Sequence, residues 1–169
     1  VIRYALLSGH YRAPLDWNDQ LIEQARKSLD RLYGVLRRFG GEAEPGAAPE
    51  AVVTALRDDM NTPKALAALF EIAGRANKAR SEAERAQAVG DLKAAGDLLG
   101  LFQEDADAWF GLDALSDAQK AEIDALVAER AEARKAKDFA RADAIRDQLN
   151  ARGVQAEDGP EGTTWRLTG

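Results

Sequence analysis

Chemistry-bearing residues concentrate near the C-terminal end of this chain. The stretch Lys137-Asp138-Phe139-Ala140-Arg141-Ala142-Asp143-Ala144-Ile145-Arg146-Asp147-Gln148-Leu149 sets an aromatic, arginines and carboxylates on one short helix. The Gly-rich segment Glu157-Asp158-Gly159-Pro160-Glu161-Gly162-Thr163-Thr164-Trp165-Arg166 then adds another carboxylate, a Trp and an Arg. Such a set suits an unpaired nucleotide, because an aromatic face stacks on a base while charged groups read its edge. Asp143 and Arg146 fall on adjacent helical turns and point to one side. Arg134 precedes them, and Asp158, in the loop that follows, can fold back over the helix. A carboxylate accepts from the N1–H and N2–H of guanine or the N4–H of cytosine. An arginine donates to guanine O6 or to adenine and cytosine ring nitrogens. Phe139 supplies a stacking face if exposed and a core anchor if not, and the sequence leaves both readings open. The competing reading of the whole segment is a solvated helix laced with ion pairs such as Asp143 with Arg146.

Other classes of chemistry find no residues. The chain has no cysteine and one histidine, His10, so thiolate sites are excluded and a histidine-based zinc site is not expected. No phosphate loop, metal motif or dinucleotide fingerprint is present. No nucleophile pairs with His10, and His10-Tyr11-Arg12 reads as structural. Asp59-Met60-Asn61-Thr62-Pro63 reads as a helix-capping turn rather than a catalytic cluster. No catalytic residue and no metal ligand is therefore assigned.

The net charge of −6 over 169 residues opposes non-specific binding to nucleic acid, but it is unevenly spread. Residues 1–40 carry 7 Lys/Arg against 4 Asp/Glu, and residues 130–152 again 7 against 4, whereas residues 41–129 carry 8 against 18. Two basic stretches thus flank an acidic middle, as two contact patches for one polyanion would. No apolar run approaches the ~20 residues of a membrane span, and nothing looks like a signal peptide. A cytoplasmic location is expected. The chain opens at Val1 within a helical pattern, which reads as a piece of something longer.

The elements that position these groups are mostly helices. Residues 1–8 end a first helix, and Pro14 follows the break. Asp16 or Asn18 caps a helix to about Phe39, with Ile22, Ala25, Leu29, Leu32, Leu36 and Phe39 as its apolar stripe and Gly40-Gly41 as its end. A short helix covers roughly Pro49 to Asp58. Thr62 is the expected N-cap of the next, with Pro63 at its first position and Leu66, Leu69, Phe70 and Ala73 on one face. Ser81 and Glu84 form one capping box, Ser116 and Gln119 a second. Val89, Leu92, Gly96 and Leu99 form the intervening buried stripe, and Ile123, Leu126 and Val127 a later one. A helix from Asp138 to about Arg152, with Phe139, Ala142, Ile145 and Leu149 along one side, precedes two short strands, 154–157 and 163–167. The fold class is mainly α: an antiparallel helical bundle, 1–112, followed by a small α+β domain with a C-terminal β-hairpin, 113–169.

Several stretches, in the same order, resemble cysteinyl-tRNA synthetases. They are Gly9-His10-Tyr11-Arg12-Ala13-Pro14-Leu15, Asp58-Asp59-Met60-Asn61-Thr62-Pro63-Lys64-Ala65-Leu66, and Leu98-Leu99-Gly100-Leu101-Phe102-Gln103, and then the 133–149 and 157–166 segments. The resemblance implies an enzyme that activates cysteine with ATP and transfers it to the tRNA carrying the GCA anticodon. Its catalytic domain, with ATP and zinc, would lie upstream, so this fragment alone is expected to be inactive. The bundle would contact the anticodon stem. By position, Arg134, Phe139, Asp143, Arg146 and Asp158 match anticodon-binding residues of the family, with Arg12, Lys137, Trp165 and Arg166 as further tRNA contacts. Relatives often carry Trp where Phe139 stands. Phe keeps the stacking face without the indole N–H. Implied partners are cysteine tRNA and the protein's own catalytic domain, with no membrane partner, and a monomer is expected. Two alternatives remain: the helical part of a related ATP-dependent cysteine ligase of thiol biosynthesis, and a non-catalytic protein-interaction bundle.

Overall fold

Short polar residues set where most of the helices start. The computed structural model describes residues 1–41, 43–113, 115–159 and 162–167. Pro160 and Glu161, at the expected hairpin tip, lie outside them. The described residues divide into two compact units, Val1–Glu104 and Asp105–Gly169. That division falls upstream of the break expected at 112–113.

The first unit holds α1 (Ile2–Leu7), α2 (Asp19–Phe39), α3 (Glu50–Arg57), α4 (Thr62–Lys78) and α5 (Glu82–Leu99). Asn18 caps α2 by accepting from the Leu21 N–H at 2.9 Å, and Ser81 caps α5 by accepting from the Glu84 N–H at 3.2 Å. Each removes one of the orphan donors of a first turn. Helices α2, α4 and α5 pack on one another through Leu29, Leu32, Leu36, Leu66, Leu69, Val89, Leu92 and Leu99, all buried. Ile22 is only half-buried, and Phe39 lies beneath the Arg38 and Arg85 guanidinium groups rather than in the core.

One local expectation is corrected here. The N-cap of α4 is Asn61, whose side chain accepts from the Lys64 N–H at 3.1 Å, and Thr62 is the first helical residue. Asn61 wins because the left-handed pair Asp59 and Met60 (φ 51° and 52°) turns the chain one residue earlier. Gly40 ends α2, as expected, with φ −65°. The position requires a small residue, since a Cβ there would run into the Leu36 carbonyl. At the end of α5, Gly100 does take the left-handed conformation, φ 66°. The chain then folds the Phe102 ring onto Gly96, edge-on to Tyr33 at 5.4 Å.

The second unit holds α6 (Ala106–Trp109), α7 (Asp117–Lys135), α8 (Phe139–Ala151), β1 (Val154–Gly159) and β2 (Gly162–Leu167). Ser116 and Gln119 close the expected capping box on α7. The strands form one antiparallel ladder with Val154 opposite Leu167, Ala156 opposite Trp165 and Asp158 opposite Thr163. Because side chains alternate along a strand, these three pairs share a face. That face lies on α7 and α8, with Val154 and Trp165 buried against Ile123, Val127, Ala142, Ile145 and Leu149.

Candidate nucleic-acid interface

The candidate interface is built on the turn between α7 and α8. The last turn of α7 closes when the Asp138 N–H reaches the Ala133 carbonyl at 2.9 Å. This requires Lys137 to take the left-handed region, φ 61°. Lys137 itself is exposed. Asp138 then caps α8 by accepting from the Arg141 N–H at 3.0 Å. Arg141 reaches across to Glu129 of α7 at 2.7 Å, tying the two helices together.

Helix α8 buries Ala142, Ile145 and Leu149. Phe139, Asp143 and Arg146 recur at i, i+4 and i+7, so they form a neighbouring stripe rather than part of the buried one. Phe139 is 63% exposed. Its ring is therefore not a core anchor of the unit, and a flat apolar face stands in water at the head of the helix. Asp143 and Arg146 are joined at 2.9 Å, and the same guanidinium reaches Asp147 at 3.1 Å. All three side chains are more than half exposed. The groups that form the helix's ion pairs are thus the same groups the sequence offered for reading a base edge. Exposed pairs of this kind contribute little to stability and can reopen toward a ligand.

Asp158 presents a different environment. It lies on the helix-facing side of the hairpin, opposite Thr163. Both its oxygens face Arg130, whose two terminal nitrogens donate at 2.9 and 3.0 Å. Arg134 donates to the same carboxylate, and the Thr163 hydroxyl adds a bond of 2.9 Å. The Arg130 hydrogen bonds, more than any other contact, hold the Asp158 carboxyl below the usual carboxylate range, against partial burial, which pushes the other way. Arg134 and Asp158 are thus brought together, as are Asp143 and Arg146. Among the described residues no hydrogen bond links the two pairs.

Trp165 corrects an expectation. It is 2% exposed, and its indole N–H donates to Asp124 of α7 at 2.6 Å. Its ring closes the core of the unit and offers no stacking face. Arg166 lies half-buried on the opposite face of the hairpin, paired with Glu157 at 2.6 Å. In the first unit, Arg12 is exposed and meets Asp59 at 3.1 Å. Tyr11 donates to the same carboxylate at 2.8 Å, so this group braces the turn before α4.

Arg130 and Asp124 were not singled out from the sequence. The available signal was Arg130 standing three residues after Val127 and four before Arg134, which puts a guanidinium beside the buried stripe of α7. Among the described residues no group of three or more His, Cys, Asp or Glu is placed to hold a metal ion. Among the described residues no helix is long and apolar enough to cross a membrane.

Comparison with known proteins bears on both units. Residues 51–103 match the DALR domain, and residues 116–166 match the cysteinyl-tRNA ligase anticodon binding domain. Over 98% of its length the chain is 59% identical to the cysteine–tRNA ligase of Maricaulis maris. It is 54% identical to that of Xanthomonas campestris and 50% identical to that of Rhodospirillum rubrum, again over 98%. The chain spans about 36% of the length of the Maricaulis and Xanthomonas relatives and 37% of the Rhodospirillum one.

Proposed function

The chain belongs to the cysteinyl-tRNA ligase family, matching its C-terminal part, and from that premise we propose that it is the tRNA-engaging portion of such a ligase. In this reading the second unit takes the anticodon loop of cysteine tRNA, with its GCA bases. The first unit lies along the anticodon stem. Phe139 stacks on a base, Asp143 and Arg146 address base edges, and Arg134 with Asp158 forms the second polar group. Lys137 and Arg12 contribute phosphate contacts. The observation that carries the proposal is Phe139. An aromatic left 63% exposed at the head of a charged helix, inside the segment matched to an anticodon-binding domain, has the character of a stacking platform.

Cysteine activation, with the ATP and zinc that the family implies, is assigned to other parts of the ligase. The residues described here do not fit a metal site. The working unit is read as a cytoplasmic monomer in which this portion serves its own catalytic domain. The matched anticodon-binding segment favours this reading over a thiol-biosynthesis ligase, which has no anticodon to read.

The test is a titration of the chain with two anticodon stem-loops, one bearing GCA and one a different anticodon, at two salt concentrations. Preference for GCA is expected, with affinity falling steeply as salt rises because phosphate contacts release counterions. Equal affinity for both stem-loops removes anticodon reading. In parallel, pyrophosphate exchange with cysteine and ATP should stay at the buffer level. Exchange above it would remove the assignment of activation to other parts.

A further inference from the structure

We propose that Arg130 is a positioning residue of the RNA site: it clamps Asp158 from beneath, and Asp158 in turn holds Arg134 in the pose that meets RNA. The inference rests on reading 116–166 as an anticodon-binding domain, and it changes what Asp158 does there. A carboxylate has about four lone-pair sites. Those of Asp158 are engaged by two nitrogens of Arg130, one of Arg134 and the Thr163 hydroxyl. A base could reach Asp158 only by displacing one of these donors.

Exposure separates the members of the cluster. The Arg130 side chain is 12% exposed and that of Arg134 49%. Arg130 and Arg134 stand one turn apart on α7, where like charges repel. Asp158 holds them side by side, and its bidentate fork with Arg130 sets the orientation. Two cations on one anion leave a net positive group whose outward part is Arg134. A guanidinium carries five N–H donors, so Arg134 retains donors for an RNA acceptor, either a base-edge oxygen or nitrogen or a phosphate oxygen. The hydrogen bonds from Arg130 are also the largest influence on Asp158's acidity, greater than the charge of Arg134. The anchor is the largely covered arginine and the presented group is the exposed one.

The experiment is a double-mutant cycle with the GCA stem-loop. Arg130→Met, Arg134→Met and the double variant are made in the full chain, and affinity and melting temperature are measured for each. If Arg130 acts through Arg134, each single change weakens binding roughly tenfold, the size of one charge-assisted contact, and the double variant binds no more weakly than Arg134→Met. Arg130→Lys keeps the charge but not the fork, so it should recover only part of the loss. It also serves as the variant to read if Arg130→Met fails to fold. Wild-type affinity in the Arg130 variants, or losses that multiply in the double variant, overturns the proposal. A second stem-loop tells the two acceptors apart: loss confined to GCA points to a base edge, and equal loss with a shallower salt slope points to phosphate. If the wild-type chain binds neither stem-loop, the functional reading fails and this inference fails with it. If it prefers GCA but the losses multiply, only the inference fails.

Discussion

Replacing Phe139 separates recognition from stability more cleanly than any other change in this chain. Its side chain is 63% exposed at the first position of α8, so only about a third of its surface is covered by the protein. Full burial of such a side chain contributes about 1.5–3 kcal/mol, so Phe139→Ala should cost folding roughly 0.5–1 kcal/mol. For a unit of this size that is a fall in melting temperature of a few degrees. Stacking of a base on an aromatic is worth about 1–3 kcal/mol, which corresponds to roughly a five- to 150-fold loss of affinity. The stacking face depends on a flat π system, so Phe139→Leu should lose most of what Phe139→Ala loses although it keeps apolar bulk. Phe139→Trp should retain affinity, because the ring points into water and nothing opposes a larger one. The assay is fluorescence titration of a GCA stem-loop with all three variants, alongside thermal melts. Leucine binding as tightly as phenylalanine would refute the stacking argument. So would a Phe139→Ala variant that melts as a core deletion does.

Three further outcomes are expected. Trp165→Ala should destabilise the second unit by about 3–5 kcal/mol, as deletion of a buried aromatic does, whereas Trp165→Phe should cost about 1.5–3 kcal/mol through the lost bond to Asp124. Melts that leave both variants near wild type would remove Trp165 from the core. The folded-state pKa of Asp158 is depressed, so its stabilisation is present above the unfolded carboxyl value and is lost as pH falls through the depressed one. The stability gap between wild type and Asp158→Asn should therefore close on acidification, and denaturant titrations showing a constant or widening gap would contradict the pairing. Gly96→Ala should cost about 1–3 kcal/mol by overpacking, because its methyl would meet the Phe102 ring. Phe102→Leu in the same chain should recover part of the loss, and failure to do so would place the strain elsewhere.

The helices, most of their starts and the C-terminal hairpin were legible in the residues. Asn18, Ser81 and Ser116 cap through bonds to a backbone N–H three residues on, and the stripe Val89, Leu92, Gly96 and Leu99 faces inward as its spacing requires. Such features are set by near neighbours along the chain, so the local sequence contains the information. The order of motifs was likewise enough to point to the ligase family. The state of the candidate site was decided elsewhere. Phe139 and Trp165 are both aromatic residues beside arginines and carboxylates in the same segment, yet one stands in water and the other closes the core. Trp165 is buried because α7, 41 positions away at Asp124, covers it and takes its N–H. Asp158 reads in sequence as an open carboxylate in a Gly-rich loop. It becomes an anchored one only because the hairpin folds back onto Arg130 and Arg134, 28 and 24 positions earlier. A side chain's exposure and its hydrogen-bond partners depend on which distant surface lies over it, and that surface exists only once the helices and hairpin have packed.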